Sequence, residues 1–343
     1  MSQTEFRKDL VSIILPVFNG ERFLAQSIQS CLAQTHKNFE LIIVNDCSTD
    51  QSLKIAENFK SNDARISIIS NKKNKKLPSS LNIGHEIALG NFITWTSDDN
   101  FFEEHAIEML LKTIQQTEAD IVYSNFNIIE ESGKFRKKID LENASSLLFG
   151  NSVGASFLYK KEVFIRNGGY DQDLKGVEDY DFWLSATLHS RFVHLEDILY
   201  NYRSHGKSLS SQLREAGSEE NKLFADNLQK SYQKFLRNLA MAEQKGISDL
   251  LMRLHLYKEV DVLSYFKHYK EVKIILGKIL TKADYLRTEN FKENLDIRIR
   301  AAIQEYDINQ RPIILWEILK KCPELLLKYD RKNSLKIVKK CLI

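Results

Sequence analysis

The chain has 343 residues, 43% of them hydrophobic and 28% charged, with a net charge of +3. That length holds one large domain or two ordinary ones around a sizeable core, and thirteen Gly with four Pro exclude collagen-like, linker-like and low-complexity classes. Four cysteines, Cys31, Cys47, Cys322 and Cys341, lie far apart with no CxxC pair. Neither a zinc ribbon nor a disulfide framework follows from them, and a reducing compartment is expected.

The opening MSQTEFRKDLVSIILPVF has a short apolar stretch with Pro16 inside it and no small-residue cleavage site. It reads as a buried strand rather than a signal peptide. No apolar run approaches the roughly 20 residues of a membrane helix, so a cytoplasmic protein is expected. Val11–Val17 is a continuous apolar run, followed by Phe23, Leu24, Ile28, Cys31 and Leu32 at helical spacing. A strand at Phe39–Val44, a polar turn at Asn45–Asp50 and a helix through Leu53, Ile55, Ala56 and Phe59 come next. Ile66–Ile69 and Phe92–Trp95 read as strands, with a helix from about Ser79 to Leu89 between them. Strands that alternate with helices and are apolar on both faces predict a mainly parallel sheet covered on both sides.

Over 119–210 the pattern is mixed. Strands are predicted at Ile121–Tyr123 and Val153–Tyr159, and a short helix at Lys161–Asn167 closed by Gly168-Gly169. A second helix follows at Tyr180–Leu188, then strands at Phe192–Leu195 and Ile198–Arg203. Beyond 210 the periodicity is helical throughout. Residues 211–343 carry 26 Lys+Arg against 18 Asp+Glu, a net of +8, which leaves −5 for residues 1–210. A basic helical part suits an anionic surface; a solvated helical exterior gives the same imbalance. In Arg331–Ile343, Leu335, Val338 and Leu342 share one helical face with Lys332, Lys336, Lys339 and Lys340 elsewhere. That pattern fits an interfacial helix on anionic lipid and equally an amphipathic helix packed on a core.

Ligands of open α/β sheets bind beyond the carboxyl ends of the strands. The residues there are Pro16-Val17-Phe18-Asn19, Asn45-Asp46-Cys47-Ser48-Thr49-Asp50 and Thr96-Ser97-Asp98-Asp99-Asn100. Adjacent carboxylates after a buried strand repel each other unless a cation sits between them. Asp98-Asp99 therefore suits a hard divalent ion, Mg²⁺ or Mn²⁺, with open positions for phosphate oxygens. The alternative is that Asp99-Asn100 caps a helix beginning near Glu103. Neither GxxxxGK[ST] nor GxGxxG follows the first strand, which excludes a P-loop and a dinucleotide fingerprint. Farther on, Glu178, Asp179 and Asp181 cluster at a helix start; the helix dipole explains one or two of them, and a proton acceptor explains another. His205 lies in a polar loop beside Arg203 and Lys207, a setting for an anion or a metal.

Taken in order, VSIILPVFNGERFLAQSIQSCLAQTHKNFELIIVNDCSTD, Ser80-Leu81-Asn82-Ile83-Gly84, TSDDN, GGYD, EDYDFWL and YRSHGKSLS resemble the blocks of the inverting family 2 glycosyltransferases. The resemblance covers residues 10–210. It implies the GT-A fold: a mixed, mainly parallel sheet with flanking helices in residues 1–210, about 1–100 being the nucleotide-sugar half and about 101–210 the acceptor half, with an all-α region over 211–343. Carried residue by residue, it implies that Pro16, Val17, Asn19 and Asp46 surround the base and ribose of a nucleotide-sugar, most commonly a UDP-sugar. Asp98 would lie near ribose and sugar, and Asp99 would bind the Mn²⁺ or Mg²⁺. Asp179 would be the catalytic base, His205 a contact to metal or diphosphate, and Arg203 its helper. Asn82, Glu178 and Trp183 belong to the same blocks and are counted with the substrate contacts.

The sequence departs from the family pattern at Thr96, where an acid is common two positions before Asp98. Cys47 stands where Gly is usual, and Ser185 where a basic residue often follows Trp183-Leu184. No QxxRW follows the Glu-Asp helix, which points away from processive, membrane-embedded polymerases and toward addition of one sugar. The expected function is transfer to a glycan or lipid-linked acceptor in surface-polysaccharide or glycoconjugate synthesis, with a peripheral contact to the inner face of the membrane through the basic region. The competing readings are a silent nucleotide-sugar-binding protein and a nucleotidyltransferase. Nucleic-acid binding is not expected, since no RNP, zinc-finger or helix-turn-helix pattern accompanies the lysines.

Overall fold

The computed structural model describes residues 7–206, 208–214, 217–237, 241–256, 262–280, 288–305, 311–327 and 331–342, so Lys207 lies outside the described residues. Two compact units emerge: one of residues up to Ala144 with 151–227, the other of Ser145–Gly150 with 228–343.

The first unit begins β1 (Arg7–Val17), α1 (Leu24–Leu32), β2 (Phe39–Asn45), α2 (Ser52–Asn62), β3 (Ile66–Ser70), α3 (Lys76–Ile87) and β4 (Gly90–Trp95). It continues with β5 (Phe101–Phe102), α4 (Ala106–Thr117), β6 (Ile121–Glu130), β7 (Phe135–Ile139), β8 (Phe157–Lys160), α5 (Lys161–Asn167), α6 (Glu178–Ala186) and β9 (Phe192–Ser204). The sheet order is β3-β2-β1-β4-β8-β6-β9-β5, with β7 paired to β6. β1 is parallel to β2 and β4, and β2 to β3; β8 runs antiparallel to β4 and β6, whereas β9 is parallel to β6. Successive residues of β1 and β2 (Ile13, Ile14, Leu15; Leu41, Ile42, Ile43, Val44) are all fully buried, as strands covered on both faces require. Because β1, β2 and β4 are parallel, the polar residues after each fall on one edge.

Several elements differ from the sequence expectation. α4 starts at Ala106, and β5 intervenes, paired to β9 through Phe101↔Asn201 and Phe102↔Tyr200. Asp99-Asn100 is therefore no helix cap. The hairpin β6–β7 was hidden because β7, FRKKI, is exposed and lacks apolar alternation; lysines on such an edge deter pairing with other chains. The strand expected over Val153–Tyr159 begins only at Phe157. The two strands expected within 192–203 are one, with the register shifting between Ser124↔Leu195 and Asn125↔Ile198.

The chain ends in helices: α7 (Leu209–Arg214), α8 (Glu219–Phe235), α9 (Met241–His255), α10 (Val262–Leu280), α11 (Thr288–Glu305), α12 (Arg311–Lys321), α13 (Glu324–Leu327) and α14 (Arg331–Leu342). In the second unit α11 buries Phe291, Leu295, Ile299 and Ile303, one stripe at fourfold spacing. Buried polar groups in this unit include Tyr232, which donates to the Leu148 carbonyl (3.0 Å), and Asp296, which accepts from Tyr269 (3.0 Å) and Lys273 (2.7 Å). α14 buries Ser334, Ile337 and Cys341 while Leu335 faces out. The expected Leu335–Val338–Leu342 stripe is thus not its packed face, and the side chain of Leu342 lies outside the described ones. No helix among the described residues is long and apolar enough to cross a membrane.

Candidate active site

At the end of β2, the amide of Asp46 donates to the Val17 carbonyl (2.8 Å), locking the ends of β1 and β2 together. The buried Asp46 carboxylate accepts from the Asn71 amide group and the Lys75 backbone on Oδ1, and from the Lys76 backbone on Oδ2, each at 2.8 Å. A carboxylate offers about four acceptor positions, so Asp46 retains one, on Oδ2. Across the gap, the Asn19 side-chain carbonyl accepts from the Thr49 backbone (2.8 Å), and the amides of Gly20 and Glu21 donate to Ser52 Oγ (2.9 Å) and Asp50 (3.0 Å). Pro16 and Val17 are buried, so only their backbone borders this edge.

The turn after β4 is held closely. Asp98 packs against Gly20 so tightly that a Cβ on Gly20 would lie 2.1 Å from Asp98 Oδ2 and 2.6 Å from its Cγ. Burial, the neighbouring Asp99 and Asp50 push the Asp98 carboxyl up to about 7, against a backbone hydrogen bond from Phe18. Gly20→Ala is expected to displace Asp98 and raise the Kd for a nucleotide about tenfold or more, as overpacking by one methyl costs roughly 1–3 kcal/mol; calorimetry against wild type checks this. Asp99 Oδ2 lies 2.9 Å from His205 Nε2. Arg203 frames the turn: its backbone amide donates to Asn100 Oδ1 (2.7 Å), Nε to the Asp99 carbonyl (2.9 Å), and the remaining nitrogens to the Glu131 carbonyl (2.9 Å) and Gln26 Oε1 (2.6 Å). Its guanidinium also covers the Phe23 ring at 4.4 Å, and the same ring lies 5.6 Å from that of His205. Arg203 is buried with its donors directed at protein acceptors. It is therefore placed to hold the Asp99 turn.

Trp95, just before this turn, donates from Nε1 to Tyr170 OH (2.9 Å), and Tyr170, Tyr159 and His85 continue the chain at 3.0 and 2.5 Å. His85 Nδ1 faces the Leu81 carbonyl at 2.6 Å and must be the protonated nitrogen, so Nε2 accepts. Each hydroxyl then donates toward His85, from Tyr170 to Tyr159 to the imidazole, which burial keeps neutral, down to about 3. One-directional chains of this kind polarise cooperatively. Asn82, expected among the substrate contacts, instead grips Tyr170, donating to its carbonyl and accepting from its amide, both at 2.8 Å. Gly169, at φ +87°, admits this grip, since a Cβ there would meet Asn82 Oδ1 at 2.9 Å.

Tyr170 leads into α6. Asp179, half-buried in the first turn, accepts from Asn151 Nδ2 on Oδ2 (2.9 Å) and from the Tyr180 amide on Oδ1 (2.7 Å). Asn151 is itself fixed by the amides of Val153 (3.2 Å) and Gly154 (3.1 Å). Burial raises the Asp179 carboxyl, and burial together with the charge of Asp179 raises Glu178 to about 7. Glu178 is buried and turned onto the Gly176 amide. Trp183, also expected at the substrate, is fully buried against Phe157, Phe182 and Tyr159, at ring distances of 4.8, 5.0 and 5.6 Å. It is a core residue here. Sequence reasoning missed Gly20, signalled only by Asn-Gly after a strand, and Asn151, which no motif signals.

Residues 12–177 match the family described as Glycosyl transferase family 2. The uncharacterized glycosyltransferase EpsJ of Bacillus subtilis is 32% identical over 243 residues, which cover 65% of this chain and 68% of EpsJ. The chain belongs to glycosyl transferase family 2. An uncharacterized glycosyltransferase of Rickettsia bellii is 32% identical over 235 residues, 64% of this chain, and this family 2 glycosyltransferase spans 34% of that relative's length. Among solved structures, S. aureus TarS 1-349 in complex with UDP-GlcNAc shares the fold at TM-score 0.60 and 17% identity, over 96% of this chain and 90% of that one. The sheet order, flanking helices and helical C-terminal region are those of a GT-A glycosyltransferase.

Proposed function

We propose that the enzyme transfers one sugar with inversion from a nucleotide-sugar, a UDP-sugar, to a hydroxyl of a glycan or lipid-linked acceptor in surface-polysaccharide or glycoconjugate synthesis. The observation that carries the reading is the Asp179 carboxylate, held on both oxygens by Asn151 and the Tyr180 amide with acceptor capacity left on each. In the proposed reaction Asp179 takes the proton of the acceptor hydroxyl as its oxygen bonds to the anomeric carbon. The bond from that carbon to the diphosphate breaks on the opposite face, and its electron pair leaves with the nucleoside diphosphate. Asp46, with the backbone of Pro16 and Val17 and the side chain of Asn19, borders the base and ribose, and Asp98 borders ribose and sugar. A uridine donor is favoured because the similarly folded TarS was solved with UDP-GlcNAc.

The leaving diphosphate needs its charge neutralised. Asp99 and His205, 2.9 Å apart beside the crowded Asp98, offer oxygen and nitrogen donors suited to Mn²⁺ or Mg²⁺. Among the described residues no three His, Cys, Asp or Glu converge as a ready-made cage, as expected where substrate phosphates complete the coordination. Bound there, the ion would act as a Lewis acid on the phosphate oxygens.

Calorimetry with UDP, GDP, dTDP and CDP, with and without Mn²⁺, tests the donor site, and product NMR tests inversion. Binding of none of the four, or retention at the anomeric carbon, would overturn the reading. The pH profile tests the base. Because Asp179 must be ionised to act and its carboxyl is raised, kcat/KM is expected to rise with pH along an acidic limb. Asn151→Ala removes a donor to the carboxylate and moves that limb to higher pH.

A further inference from the structure

α12 is apolar on two opposite sides. One side, Ile314 and Ile318, is buried in its own unit together with Cys322 and Leu325 beyond the helix end. The other carries Ile313, Trp316 and Leu319, which are 52%, 65% and 53% exposed. At 100° per residue these three and the exposed Lys320 form one continuous stripe opposite the buried one. A helix that is apolar all round is normally covered all round, and a tryptophan two-thirds in water, set among isoleucine and leucine, is an uncompensated hydrophobic exposure.

The segment that carries the stripe is strongly basic in sequence, which favours one occupant over the others. Residues 311–343 hold nine Lys+Arg and three Asp+Glu, and one of the three, Glu317, is paired with Lys321 at 2.8 Å. Two copies of so basic a segment repel one another, whereas an anionic bilayer attracts it. We infer that the exposed face of α12 is a docking surface for an anionic membrane, with Ile313, Trp316 and Leu319 entering the headgroup boundary and Lys320 and its basic surroundings meeting lipid phosphates. Trp suits that boundary, because its ring is apolar and its N–H stays wet. This surface lies on α12 and is separate from the Arg331–Ile343 stripe, whose Leu335 is also exposed. Its use rests on the reading of a transferase for lipid-linked acceptors; its existence does not.

The test is co-sedimentation of the full chain with vesicles of phosphatidylcholine alone and of phosphatidylcholine mixed with phosphatidylglycerol. Binding is expected to the mixed vesicles, with a blue shift of Trp emission, and I313S/W316S/L319S is expected to weaken it about tenfold or more while nucleotide binding persists. Should the triple variant fail to fold, quenching of tryptophan emission by brominated lipid is expected in wild type and lost in Trp316→Phe. Equal binding to both vesicles overturns the anionic assignment. Undiminished binding by the triple variant, or quenching that survives Trp316→Phe, removes α12 from it. A dimer in solution that the triple substitution dissociates, without vesicle binding, identifies a second copy as the occupant and overturns the inference. Vesicle binding by a chain that binds no nucleotide supports the surface while overturning the transferase reading.

Discussion

Asp179→Asn is expected to lower kcat by about 10²- to 10⁴-fold, the range that a positioned general base supplies, with nucleotide affinity unchanged. The substitution is nearly isosteric. The side-chain oxygen of Asn can still accept from the Tyr180 amide or from Asn151, so the first turn of α6 stays in place and the loss is chemical. Steady-state kinetics with donor and acceptor, paired with calorimetry, separates the two effects. A fall in nucleotide affinity that matched the fall in kcat would instead make Asp179 a donor contact.

Asp99→Ala is the second large effect. Removing the carboxylate that faces His205 is expected to abolish the tightening of nucleotide binding by Mn²⁺ and to lower turnover roughly 10²- to 10³-fold, the scale of losing a preorganised electrostatic contact to a developing charge. The turn itself should survive, because Arg203 holds Asp99 through its backbone carbonyl and Asn100 through its side chain. Titration of Mn²⁺ against nucleotide affinity in wild type and variant reads this directly. Retained metal dependence would move the ion to Asp98.

The parallel half of the sheet was legible because buried parallel strands read as unbroken apolar runs such as Val11–Val17 and Phe39–Val44, and because polar clusters after such strands share an edge by geometry. β7 was not legible: an exposed, basic strand that pairs on one side only carries no apolar alternation. At the candidate site, the block pattern marked Asp46, Asp98, Asp99, Asp179 and His205, but it could not tell which of its polar residues are taken up by hydrogen bonds within the protein. Asn82 and Arg203 are the clearest cases, each occupied by protein partners far along the chain, Tyr170 and Gln26 among them. Trp183 lies one helical turn beyond Asp179 and is nevertheless fully buried among Phe157, Phe182 and Tyr159. Tertiary closure decides such assignments, and one-dimensional spacing does not carry it.

Arg203 gathers distant stretches of the chain around the Asp99 turn. Its hydrogen bonds span 72 residues to Glu131, 104 to Asp99 and 177 to Gln26. The ribosome therefore releases β1 to β4 well before a side chain that ties the Asp99 turn both to α1 and to the β6–β7 hairpin. Contacts of such separation close late and slowly. A nascent chain ending before β9 lacks all of these bonds, which can form only once β9 is available to pair with β6.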